Sequence, residues 1–232
     1  MTERECFLAT TSHRRPDRIL YYFDMTPDLR ERMIQHIGTD QWQTHFGLFA
    51  PVEVGPERPA DLPRPDYTPY WEGETLPPGT TFDSNGVAMA PSGYFHFWGY
   101  ISPLRKAESL AEIENYPLDD ITQWDYSGLD ERVRRARAEG RATNLWIGHM
   151  YESAWQIRGY EEFLMDVIER PAWAECLLER LAQRNRVKAL AAARAGVDRI
   201  TTGDDVANQQ AMMFAPDTWR RMFHSRWASI WR

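Results

Sequence analysis

Val197-Asp198-Arg199-Ile200-Thr201-Thr202-Gly203-Asp204-Asp205-Val206-Ala207-Asn208-Gln209 decides how this chain is read. Residues 197–202 read as a strand, with β-branched Val197, Ile200, Thr201 and Thr202. The run ends abruptly in a glycine and two carboxylates. Upstream, residues 171–195 open on Pro171 and place Trp173, Leu177, Leu178, Leu181 and Leu190 on one side, and Gly196 follows where a helix stops. Before that helix lies a second unit of the same kind, Thr143-Asn144-Leu145-Trp146-Ile147-Gly148. This strand also ends in polar groups, His149-Met150-Tyr151-Glu152. Further back, residues 19–23 (Ile-Leu-Tyr-Tyr-Phe) read as a buried strand ending at Asp24, with Thr26 as N-cap and Pro27 as first residue of a helix that Gly38 closes.

Strands alternating with helices of ten residues or more predict a parallel sheet with right-handed crossovers. No Gly-x-Gly-x-x-Gly follows any strand, which argues against a dinucleotide-binding sheet. Asp24, His149 to Glu152 and Asp204-Asp205 all stand at C-terminal strand ends, where a (β/α)8 barrel builds its active site. Between the first and second units the pattern is interrupted. Residues 47–79 carry eight prolines and read as an irregular loop, and residues 80–89 and 93–100 read as two strands of a hairpin, so that 47–100 forms a Pro-rich loop and hairpin insertion. Helices are expected at residues 2–10, 109–116 and 124–140. The last segment, 216–232, sets Trp219, Met222, Phe223, Trp227, Ile230 and Trp231 along one stripe.

Composition narrows the function. At 232 residues and 43% hydrophobic the chain is sized for one domain, and its formal charge of −7 leaves no general field for nucleic acid or an anionic membrane. No apolar run is long enough to span a bilayer, and the charged N-terminus is unlike a signal peptide. A cytoplasmic protein is expected. Cys6 and Cys176 stand alone, with no neighbour at metal-ligand spacing, so two reduced thiols and no metal ligands within this chain are the expectation.

Four segments in order carry a resemblance: Arg15-Pro16-Asp17-Arg18-Ile19; Phe82-Asp83-Ser84-Asn85-Gly86-Val87; Gly148-His149-Met150-Tyr151-Glu152 with Gly159; and Gly203 to Gln209 with Ala215-Pro216. Together they resemble the uroporphyrinogen decarboxylase superfamily across nearly the whole chain. The acidic pair, the Gln four positions after it and the Pro opening the next helix are the most specific part. The resemblance implies an α/β fold, a (β/α)8 barrel of which residues 1–232 form a single domain lacking its C-terminal third, with an unpaired sheet edge and a partly exposed 216–232 stripe.

The resemblance also implies a site. Asp83 matches the aspartate that decarboxylases of the family use to accept pyrrole N–H groups, and Asp204 and Asp205 are the further catalytic candidates. His149, Tyr151, Gln209 and Trp155 are the substrate-binding candidates. Each has an ordinary alternative, namely a capped turn for the aspartates and core packing for the aromatic rings. Where decarboxylases carry an arginine-rich element that grips substrate carboxylates, this chain reads Phe23-Asp24-Met25-Thr26-Pro27-Asp28, and that field would repel a polyanion.

The departure favours the superfamily's other branch, methyltransferases that serve corrinoid proteins and use zinc to activate a thiol. Their zinc ligands, a His and two Cys, lie in the family's C-terminal third. No cofactor is therefore expected in this chain, and zinc is expected only in a full-length parent. The expected partner is a small molecule or a corrinoid protein, with no nucleic acid, no membrane and room for a homo-oligomer. A cofactor-free decarboxylase of a tetrapyrrole or related carboxylate is the second reading, and a non-catalytic truncated fragment the third.

Overall fold

The computed structural model describes residues 1–93 and 97–232. Contacts gather the chain into two compact units: Met1–Gly55 with Ser127–Leu145 and Ala192–Ile200, and Pro56–Tyr126 with Trp146–Ala191 and Thr201–Arg232.

The first unit begins with α1 (Glu3–Thr11), whose N-terminus is closed by a capping box between Thr2 and Glu5. α2 (Pro27–Ile37) follows Thr26 and ends at Gly38 in the left-handed conformation (φ 71°), as its sequence signals require. Its Met33, Ile34 and Ile37 pack with α3 (Trp42–His45) around buried Met25, Trp42 and Leu48. β1 (Val52–Glu53) then pairs in parallel with β5 (Thr143–Trp146), in register Val52 with Thr143 and Glu53 with Asn144.

The second unit opens with an antiparallel sheet of β2 (Thr81–Phe82), β3 (Ala88–Pro91) and β4 (Trp98–Ile101), in that order. α4 (Leu110–Glu114) follows behind a Ser109–Glu112 capping box, and α5 (Leu129–Ala138) returns to the first unit. After β5 come α6 (Tyr151–Arg158), α7 (Tyr160–Glu169) and the long α8 (Pro171–Ala195). β6 (Arg199–Thr201) then lies beside β5, giving the order β1-β5-β6. Asp198 N–H donates to Thr143 Oγ1 at 3.0 Å and Ile147 N–H to Thr201 O at 3.0 Å, so β6 runs in the same direction as β5. α9 (Pro216–Trp219), a π-helical turn (Arg220–His224) and α10 (Ser225–Trp231) end the chain as one continuous rod.

This is a mixed α/β architecture with a three-stranded parallel sheet that does not close into a barrel among the described residues. Several expectations need correction. Residues 19–23 are not a strand; Ile19 is 84% and Tyr22 71% exposed. A strand is stabilised by a ladder, and among the described residues this run has a single bond of that kind, Phe49 N–H to Tyr21 O at 2.8 Å. Instead Phe23 rests on the rings of Trp42 and Phe46, and the run serves as an extended connector.

The strand expected at 80–89 is split in two, because Asp83 to Gly86 form a tight turn and fold β2 back on β3. The strand expected at 93–100 is seen from Trp98; residues 94–96 of it lie outside the described residues. The helix expected at 124–140 starts at Leu129, after a 3₁₀ turn at Ile121–Gln123. In the last rod Met222, Phe223 and Ile230 are buried, Trp219 and Trp227 half-buried and Trp231 49% exposed, so the stripe is partly exposed, as expected. No helix among the described residues is long and apolar enough to cross a membrane.

Candidate functional site

The two polar strand ends meet. β5 leads through Ile147 into Gly148 and His149, and β6 leads through Thr202 into Gly203 and Asp204. Thr202 Oγ1 donates to Gly148 O at 2.5 Å and so ties the two exits side by side. Gly148 takes φ 111°, which only glycine adopts readily, and this lets the chain turn from strand to helix within two residues.

Asp204 is nearly buried, and its side chain reaches back to the start of α6. Its Oδ1 accepts from Met150 N at 3.0 Å and from Glu152 N at 3.1 Å. α6 has no capping side chain of its own, so a carboxylate from the neighbouring strand end satisfies its first donors. Burial nevertheless pushes the Asp204 carboxyl above its ordinary range, the hydrogen bonds only partly offsetting it.

His149 stands beside it. Nδ1 lies 2.8 Å from Glu152 Oε2 and 3.8 Å from Asp204 Oδ1, and it also contacts the carbonyl oxygen of Gly203. All three neighbours are acceptors, so the ring proton sits on Nδ1 and the lone pair of neutral His149 is on Nε2. The hydrogen bond to Glu152 raises the His149 pKa, and the same bond lowers that of Glu152. Trp146 packs edge-on against the imidazole with centroids 4.9 Å apart. The result is a His–carboxylate pair backed by a second, buried carboxylate, suited to passing a proton through Nε2 or to holding a cation. His149, Glu152 and Asp204 each offer a donor atom, all within 4.8 Å of one another.

The expected residues divide. His149 and Asp204 come together. Asp205 joins through its backbone, whose N–H donates to Glu152 Oε2 at 3.2 Å, while its side chain is exposed. Tyr151, expected on the rim, is 1% exposed and packs among Phe163, Phe214 and Phe223. Burial pushes its phenol pKa upward. Tyr151 lies two residues after His149, a spacing that does not return to the same face of a helix, and here its direction is the core.

Trp155 is half-buried between the rings of Tyr100 and Tyr160, at 5.3 and 5.4 Å. Gln209 is exposed on a turn that Asn208 Oδ1 holds by accepting from the backbone of Gln210 and Ala211, and it makes no hydrogen bond to the cluster among the described residues. Asp83 is engaged in its own turn, where Oδ1 accepts from Asn85 N at 2.8 Å and Val87 N at 2.9 Å. Burial raises its pKa against those bonds. Glu152 belongs to the polar strand end seen in the sequence but has no role assigned from sequence. The signal was present in its spacing, since a residue three positions after His149 at the start of a helix returns to the same face.

No protein-family model matches the chain, and no curated protein matches it by sequence. Among solved structures, a methyltransferase from Methanosarcina mazei is similar over 99% of this chain, with a TM-score of 0.55 and 16% identity. The match covers 66% of that methyltransferase, so the chain spans slightly less than two thirds of its length. At this identity the likeness concerns the fold: what this chain shares with a methyltransferase is the arrangement of its helices and parallel strands.

Proposed function

We propose that this chain is part of a methyltransferase-like protein of the uroporphyrinogen decarboxylase type, built on a (β/α)8 plan, with methyl transfer linked to a corrinoid. The observation that carries the reading is the convergence of His149, Glu152 and Asp204 at the C-terminal ends of adjacent parallel strands, on a fold similar to that of a methyltransferase. In such a transfer the methyl group leaves its donor without the bonding pair and joins a nucleophile that loses a proton. Nε2 of His149 is the basic atom the cluster presents for that proton. Glu152 orients the ring and stabilises the imidazolium that forms.

The zinc–thiolate centre of the family's methyltransferases does not fit these residues. The Cys6 thiol donates to Asp17 Oδ1 at 3.0 Å, Cys176 lies half-buried on α8, and no group of His and Cys donors forms among the described residues. The decarboxylase reading draws on Asp83, whose Oδ1 is spent on the backbone of its own turn.

The test is demethylation of methylcobalamin by the purified chain in the presence of a thiol acceptor, followed by the absorbance change of the corrinoid. A rate above the protein-free control that falls about 100-fold or more in His149→Ala supports the proposal. A rate equal to the control in the unaltered chain overturns it. Release of carbon dioxide from uroporphyrinogen under the same conditions would replace it with the decarboxylase reading.

A further inference from the structure

We infer that His149, Glu152 and Asp204 form a binding site for a first-row divalent cation, bound through the Nδ1 edge of the imidazole. Glu152 Oε2, Asp204 Oδ1 and the Gly203 carbonyl oxygen all surround Nδ1, which carries a single proton. One proton serves one oxygen well, so Nδ1–H cannot satisfy all three, whereas a cation in the proton's place would attract all of them. Backbone N–H groups of Met150 and Glu152 donate to Asp204 Oδ1, and that of Asp205 donates to Glu152 Oε2, so the two oxygens nearest Nδ1 are held in place.

The spacing suits an ion. Nδ1 stands 2.8 Å from one carboxylate oxygen and 3.8 Å from the other, and all three donor atoms lie within 4.8 Å of one another. Neighbouring ligands of a six-coordinate ion with bonds of roughly 2.1 Å are separated by about 3 Å, so small side-chain adjustments bring all three to one centre. One imidazole and two carboxylates, with a carbonyl within reach, form a nitrogen–oxygen set of the kind taken by Mn²⁺, Fe²⁺ or Zn²⁺ and without soft sulfur ligands.

The site is also braced as a metal site needs to be. Asp204 is held by two backbone donors, Glu152 by one, and the imidazole is walled by Trp146. Binding replaces the Nδ1 proton. From an imidazolium one proton is released to solvent; from the neutral ring the proton moves to Nε2. The inference rests on the ligand geometry alone and does not depend on methyl transfer.

The experiment titrates the purified chain with Mn²⁺ and reads the free ion by electron paramagnetic resonance, with Co²⁺ as a second probe read by its visible absorption. One ion per chain is expected, weakened by about tenfold or more in Glu152→Gln and in His149→Gln. Affinity should fall as pH is lowered and protons compete for the imidazole. Circular dichroism of each variant checks that the fold persists. Asp204→Asn, which retains an acceptor for the α6 donors, gives a third reading on the same site. Mn²⁺ uptake equal in the unaltered chain and in all three folded variants, or no uptake at all, would overturn the site. Cation binding without methylcobalamin turnover would uphold it and remove the proposed activity instead.

Discussion

Replacing Asp166 by Ala isolates the interaction that holds the helices behind the candidate site. Asp166 on α7 and Arg158 at the end of α6 are both about 98% buried or more, and Arg158 Nε donates to Asp166 Oδ2 at 2.7 Å. The same guanidinium donates to Leu104 O and lies 5.5 Å from the centre of the Trp173 ring, and Arg170 joins from the partly exposed side with Nη2 at 2.8 Å from Asp166 Oδ1. Removing the carboxylate leaves Arg158 charged and buried with only a carbonyl and a ring for compensation. Breaking one partner of a buried pair costs roughly 3–5 kcal/mol, because the remaining charge keeps its full desolvation penalty.

Urea unfolding followed by tryptophan fluorescence reads this directly. With a slope of about 3 kcal/mol per molar the midpoint should fall by about 1–1.7 M. Arg170→Ala is the control. Its side chain is 41% exposed, and it should cost no more than about 1 kcal/mol. Because Glu152 occupies the first turn of α6, the loss should also broaden the His149 ring resonances. A midpoint shift in Asp166→Ala no larger than that of Arg170→Ala would refute the reasoning, showing that water reaches Arg158.

Three further outcomes follow from the same structure. The folded-state pKa of His149 is raised by Glu152, so its contribution to stability should be complete below the unfolded value near 6.5 and should disappear as pH rises through the folded value; NMR titration should show Glu152→Gln returning the pKa toward the ordinary range, and an unchanged pKa would mean the pair is not formed. Asp83→Ala should destabilise the β2–β3 turn by about 1.5–3 kcal/mol, whereas Asp83→Asn, which keeps an acceptor for Asn85 and Val87, should lose much less; equal thermal midpoints would show the carboxylate is not capping. Gly86→Ala should cost about 1–3 kcal/mol, since φ is +75° and a Cβ would fall 2.3 Å from the Tyr67 ring, and a midpoint within error of the unaltered chain would contradict that placement.

Much of the architecture is legible in the sequence alone, because it depends on local chemistry. Pro27 and Gly38 bound α2, Ser109 and Glu112 build a capping box, and the segments that became β5 and β6 stop at glycines followed by polar groups. Those signals act within a few residues and need no partner. The polar strand ends were readable for the same reason, so His149 and Asp204 were singled out without coordinates. What tertiary structure alone decided is which atoms face which. Residues 19–23 have a strand's composition, yet a strand exists only where another backbone offers a ladder, and here one bond is offered. Tyr151 and Glu152 are adjacent in sequence, and the docking of α6 sent the first into a cluster of phenylalanines and the second to the imidazole. Asp204 and the start of α6 are more than fifty residues apart, so that capping contact arises only when β6 lies against β5, a pairing that long-range burial decides and local periodicity cannot.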